Sequence, residues 1–337
     1  MQTKRVFIIM LLFSKIYSYS QKIPEDFGYR HIAMKYQDDP VDIIVISKKG
    51  EEKLAKPVFF FCQGSLPQPV VKYDEKGLYG TLPFDENSFL ETYHIVIVGK
   101  PFIPIISDVN KLGKDYMYLK DIEKEIPPKG YTERNYLDYY VFRNNFIVKQ
   151  LAKERWVKNK KLVVAGHSEG SSIAAKMASI NKKITHLIYS GGNPYGRIMN
   201  ILAQSRSFDT DSIDEGKNTI EHWKKVVAHS NDTSLTNGDT YKTTYSFSLP
   251  QKDNLMGLKI PVLVSYGTKD WSGPFNDLFQ IEAIREKKDN CIFKSYLNLE
   301  HNYFPVNEDG TVNYEVYNWD KIAADWLNWL NNSDNEN

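Results

Sequence analysis

The stretch Lys160-Lys161-Leu162-Val163-Val164-Ala165-Gly166-His167-Ser168-Glu169-Gly170-Ser171-Ser172-Ile173-Ala174-Ala175-Lys176-Met177-Ala178 constrains this chain more than any other. A short apolar, β-branched run leads directly into Gly-His-Ser-Glu-Gly, and a small-residue segment of helical character follows. A strand that stops on a tight turn and restarts as a helix implies a sheet with helices packed beside it. The two glycines let the backbone turn without a Cβ clash. Ser168 then presents its hydroxyl at the carboxyl edge of the sheet, beside the positive end of the following helix. It is the candidate nucleophile.

The rest of the chain supplies the sheet. Arg30 to Tyr36 and Val41 to Ser47 are short β-rich runs separated by Gln37-Asp38-Asp39-Pro40, which predicts an opening antiparallel hairpin. Pro57 to Cys62, Tyr93 to Val98, Lys161 to Ala165, Ile184 to Tyr189 and Ile260 to Tyr266 are continuous apolar runs. Such runs are expected of strands buried on both faces of a parallel sheet. Residues Gln63 to Thr92 read as loop with room for a short helix near Asp85 to Leu90. Lys100 to Tyr131 read as an irregular segment with four prolines. A helix is expected next, capped by Thr132, with Leu137, Tyr140, Val141, Ile147, Val148 and Leu151 on one face, broken once by Asn144. Residues 193–258 interrupt the alternation with a polar, partly helical stretch, expected to be a cap inserted in the domain. A helix over 275–288 and a strand from Cys291 to Leu299 follow. A last helix carries Trp319, Ile322, Ala323, Trp326 and Leu330 as its apolar stripe.

Composition narrows the function classes. At 337 residues with 42% hydrophobic content the chain has length for one large α/β domain, expected over residues 21–334. A net charge of +1 gives no reason to expect nucleic acid, and Lys153, Arg155, Lys158, Lys160 and Lys161 read as a solvated surface. Two cysteines, Cys62 and Cys291, make neither a disulfide framework nor a metal site. Lys4 and Arg5, the apolar run Val6 to Phe13, and Ser18-Tyr19-Ser20 have the pattern of an export signal over residues 1–20. Eight apolar residues fall well short of the roughly 20 needed to span a bilayer, so no stable membrane anchor is expected.

A serine hydroxyl needs a base to take its proton and a third group to hold that base. His301 follows the last predicted strand, and Asp270 follows Gly267-Thr268-Lys269 at the end of the strand before it. Glu300 is the rival acid, ranked below Asp270 because chain neighbours rarely face each other. His167 reads as a packing residue, and the other histidines have no acid at metal spacing. The aromatics Phe208, Trp223, Tyr241, Tyr245, Phe247 and Trp271 are candidates for lining a substrate pocket.

The order Ser168, Asp270, His301, each at a strand end, resembles the α/β-hydrolase family over roughly residues 28 to 330. The resemblance implies a mostly parallel eight-stranded sheet covered by helices on both faces, with a cap after strand 6. It also implies hydrolysis through an acyl-enzyme with no metal or organic cofactor. By the same resemblance the oxyanion donors are the backbone N–H groups of Glu169 and of the loop Gln63-Gly64-Ser65. Many relatives carry His-Gly where this chain has Gln63-Gly64. Ser65 is favoured over Gly64 as the second donor. The expected substrate is a small-molecule or acyl ester; a peptide bond or thioester uses the same chemistry. A binding protein on a hydrolase fold is the reading from another class.

Overall fold

The β-branched and aromatic runs pair side by side into one sheet, described in a computed structural model covering residues 22–80, 82–235 and 238–333. The predicted export signal lies outside the described residues. Strands β1 (Arg30–Tyr36), β2 (Asp39–Ile46), β3 (Lys56–Cys62), β6 (His94–Val98), β8 (Val157–His167), β9 (His186–Ser190), β10 (Val262–Gly267) and β11 (Cys291–Tyr296) form the large sheet. Their spatial order is β1-β2-β6-β3-β8-β9-β10-β11. β2 runs antiparallel to both β1 and β6, and all pairs from β6 through β11 are parallel. The eight strands and mostly parallel order match the expectation.

The opening hairpin is tighter than its sequence suggested. Gln37 and Asp38 alone make the turn, both with positive φ (49° and 67°), and Tyr36 pairs with Asp39. A two-residue turn with both centres left-handed matches the twist of the strands it joins. Pro40 is tolerated in β2 because pairing with β6 begins only at Ile43, so no neighbour asks for its missing N–H.

Alternate residues of each strand feed two cores. Ile43, Val45, Phe60, Val96 and Val164 face α3 (Leu137–Leu151) and α4 (Glu169–Ile180). Ile44, Phe59, Ile95, Ile97 and Val163 face Phe89, Tyr93 and the stripe Trp319, Ile322, Trp326 and Leu330 of α10 (Trp319–Ser333). Two covered faces explain why these strands read as unbroken apolar runs.

Three expectations change. Gln63 to Thr92 is not only loop: β4 (Val71–Asp74) and β5 (Gly77–Tyr79) pair there, and β7 (Ile106–Asp108) completes a second, three-stranded sheet. Thr132 caps nothing. It lies inside the short helix α2 (Lys129–Arg134), where its hydroxyl donates to Lys129 O at 2.9 Å. The first turn of α3 is instead satisfied from far along the chain, Leu137 N–H donating to Ser246 Oγ at 3.1 Å. The segment 193–258 also divides in two. α5 (Arg197–Arg206) and α6 (Glu215–Ala228) pack on one another, whereas α7 (Tyr241–Phe247) and α8 (Lys252–Gly257) return to the body and bury Phe247 and Leu255 in its core.

Because the strands are parallel, Cys62, His167, Ser190, Gly267 and Tyr296 end on one edge of the sheet. Cys62 and Cys291 are buried free thiols.

Candidate active site

Ser168 follows the end of β8 and stands as the N-cap of α4 with φ 59° and ψ −126°. The strain sits on the serine, and the glycines serve a different need. A Cβ on Gly166 would come within 2.0 Å of Gly170 O, and one on Gly170 within 2.1 Å of Cys62 O. Only glycine lets α4 start so close to the strand ends. The strained turn is clamped by Ser168 N–H donating to Ser190 O at 2.9 Å, and by Ser171, whose N–H and hydroxyl donate to Ser168 O at 3.1 and 2.6 Å.

The three residues singled out in the sequence meet at the open edge of the sheet. His301 Nε2 lies 2.9 Å from Ser168 Oγ, and His301 Nδ1 lies 2.8 Å from Asp270 Oδ2. Asp270, buried, accepts the Ser272 N–H through Oδ1 at 2.9 Å, which leaves Oδ2 for the imidazole. Burial alone would lower the pKa of His301; the Asp270 carboxylate opposes it, and the net shift is upward from 6.5. Burial would raise Asp270, but the imidazole and the Ser272 N–H hold it below its ordinary value. Glu300 braces the loop and makes no hydrogen bond to the imidazole, its Oε1 accepting the Asn302 and Phe304 N–H groups at 2.7 and 3.0 Å.

His167 packs where its sequence position suggested. Its ring lies 5.0 Å from that of His301, and Nδ1 sits 3.0 Å from Ser190 Oγ. Burial pushes it down to about 3, so it stays neutral beside the base. Below it, the buried Tyr303 hydroxyl hydrogen-bonds with Ser190 Oγ at 2.7 Å and Ser265 Oγ at 2.8 Å, and Trp326 Nε1 donates to Ser265 Oγ at 3.2 Å. This network ties the His301 loop to β9, β10 and α10. No signal in the sequence marked it.

Gln63 does not face the cavity as a His in its place would be expected to; its amide donates to Val98 O at 2.7 Å. Gly64 comes close to the nucleophile, since a Cβ there would rest 3.8 Å from Ser168 Cβ. Ser65 lines the cavity above Ser168. Its carbonyl is held by the Tyr131 hydroxyl at 2.8 Å. Glu169 is the first residue of α4, so its N–H has no acceptor within the helix.

The Glu169 side chain is a second surprise. It is buried against Lys100 Nζ at 3.2 Å and Arg197 Nη1 at 3.8 Å, and Arg197 Nη1 lies 2.6 Å from Asp239 Oδ2. Burial raises the Glu169 pKa and lowers that of Lys100, each opposed by its partner. Two cations and two carboxylates thus neutralise each other beside the nucleophile and link α4 to the first residue of α5.

The edge encloses a cavity of about 730 Å³ over Ser168 and His301. Of the six aromatics proposed to line it, only Phe247 and Trp271 do. Trp223 stacks on Tyr245, and Tyr241 packs between His222 and His229. Among the described residues no cluster of three His, Cys, Asp or Glu side chains is arranged to hold a metal ion.

No family model and no curated protein matches this chain. Solved structures do. An esterase of Pyrococcus furiosus, Pf2001, superposes with a TM-score of 0.50 at 14% identity, over 93% of this chain and 95% of the other. Est1E from Butyrivibrio proteoclasticus matches at TM-score 0.47 and 12% identity, over 81% and 90%. The acylaminoacyl peptidase of Pyrococcus horikoshii matches at 0.47 and 17%, over 81% of this chain. This chain spans only 37% of that peptidase's length. The sheet order, the helices on both faces and the match along nearly the whole of Pf2001 identify the architecture: the chain has the α/β-hydrolase fold.

Proposed function

We propose that this protein is a serine hydrolase that cleaves a carboxylic ester through an acyl-enzyme. The observation that carries the reading is the unbroken relay from Ser168 Oγ through His301 to Asp270, with bonds of 2.9 and 2.8 Å, opening on a cavity. In the first half-reaction the Ser168 oxygen bonds to the ester carbonyl carbon while His301 Nε2 takes the hydroxyl proton. The carbonyl oxygen becomes an oxyanion, held by the N–H groups of Glu169 and Ser65. His301 then returns the proton to the departing alcohol as the C–O bond breaks. Water repeats the sequence in the second half-reaction and releases the acid and free Ser168. Asp270 keeps Nδ1 protonated and stabilises the imidazolium without taking the proton. Export belongs to the same proposal and rests on the charged, apolar and small-residue pattern of residues 1–20.

A fluorophosphonate probe should label the purified protein at Ser168, with the adduct located by peptide mass and absent in Ser168→Ala. An unlabelled wild-type protein would sink the reading in favour of a binding protein. Ser168→Ala and His301→Ala should each lower kcat on the order of 10⁶-fold, and the double variant hardly further, because the relay acts as a unit. Additive losses would remove His301 from it. p-Nitrophenyl esters, matching thioesters and aminoacyl arylamides, compared by kcat/KM, assign the bond: faster arylamides make it a peptidase, faster thioesters a thioesterase.

A further inference from the structure

The helix α5 offers the cavity one face only. Arg197, Asn200, Ile201 and Gln204 recur at three- and four-residue spacing and all four line the cavity. The start of this helix is fixed. Gly196 has φ 98°, and a Cβ there would meet Ser248 O at 2.0 Å, so the backbone of the body seats the first turn.

Hydrogen bonds set the polarity of that face. Tyr195 N–H donates to Asn193 Oδ1 at 2.8 Å, which fixes the Asn193 amide. Its NH₂ group therefore donates to Asn200 Oδ1, at 2.6 Å. That contact uses the Asn200 oxygen, and its NH₂ group has no partner among the described residues. Arg197 adds no net charge, since Glu169 and Asp239 flank it. A donor at a charge-balanced site suits a neutral oxygen acceptor better than a carboxylate.

The position says which half of the substrate is read. Arg197 reaches the side chain of Glu169, whose N–H is assigned to the oxyanion, so α5 is tied to the oxyanion side of the cavity. His301, which protonates the leaving group, begins the loop that carries Val306 and Val312, and these two pair and line the cavity as an apolar wall. We propose that Asn200 donates a hydrogen bond to a second, neutral carbonyl oxygen on the acyl group, so that oxo-acyl esters are selected over plain alkanoyl esters. The inference rests on the ester-hydrolase reading.

The test compares p-nitrophenyl 4-oxopentanoate and 5-oxohexanoate with the pentanoate and hexanoate, and with p-nitrophenyl hydrogen adipate, all corrected for spontaneous hydrolysis. At least one oxo ester should exceed its alkanoate in kcat/KM by about tenfold, the fold-change that corresponds to the net worth of one neutral hydrogen bond. Asn200→Leu should bring that ratio to near one. Asn200→Asp, of the same shape, should do so by replacing the donor with an acceptor, and melting curves confirm that both variants fold. A wild-type ratio near one, or an elevated ratio that survives both substitutions, overturns the proposal. Preference for the adipate over both oxo esters overturns its neutral acceptor. If no ester is turned over in a Ser168-dependent way, the ester reading itself has failed; alkanoate turnover with a ratio near one defeats the Asn200 assignment alone.

Discussion

At the scale of single residues, the charge of Asp270 sets the working pH. Its carboxylate raises the His301 pKa above 6.5 against the burial that would lower it. The base must be neutral to accept the serine proton, so kcat/KM falls as pH drops through that raised value. The acid limb should therefore have its midpoint above 6.5, and Asp270→Asn should move it lower while reducing the plateau. A midpoint unmoved by Asp270→Asn would assign the limb to another group. His167 contributes none, being neutral down to about pH 3. A second residue-scale prediction concerns Glu169. Arg197→Gln removes one of its two cations and leaves excess negative charge beside the proposed oxyanion, so kcat should fall. Adding Glu169→Gln should restore much of the loss, as single and double variants measured at saturating substrate will show. A merely structural Arg197 would give no such rescue. Ser168, Asp270 and His301 were legible in the sequence because each follows a strand end that the apolar runs mark. Lys100, Arg197 and Tyr303 were not, because their roles come from segments far apart in the chain.

Among the elements, α3 shows how a helix can be read correctly and its start misread. Its apolar face was plain from spacing, but Asn144, read as a break in that face, is buried and accepts Arg143 Nη2 at 3.2 Å. Its cap was not, because Ser246 lies 109 residues away and Thr132 offered a local candidate with the right chemistry. Ser246→Ala should lower stability by about 1 kcal/mol, the usual worth of a capping hydroxyl. Thr132→Val should cost α3 no cap, and chemical denaturation of the pair separates the two. The three-stranded sheet escaped notice for a related reason. β5 and β7 have three residues each, too short for a period to register, and β4 pairs with β7 across the 31 intervening residues 75–105.

For the molecule as a whole, the parallel sheet and its two cores follow from unbroken apolar runs, as expected of strands covered on both faces, whereas the order of the strands does not. The extent of the cap did not follow. Polar composition ran on through α7 and α8, yet Phe247 and Leu255 anchor these helices to the body, leaving α5 to line the cavity with α6 packed on it. The strain at Ser168 is also a property of the whole. A φ of 59° with ψ −126° suits glycine, and β8, β9 and α4 together hold a serine there. Ser168→Gly should therefore melt higher than Ser168→Ala, by the order of 1 kcal/mol in stability, with both inactive. Equal melting points would mean the turn carries no strain. The residue proposed to do the chemistry thus stands where the backbone itself suits glycine better. Stability alone would favour glycine at position 168, so a hydroxyl there is something the proposed chemistry needs and the turn does not.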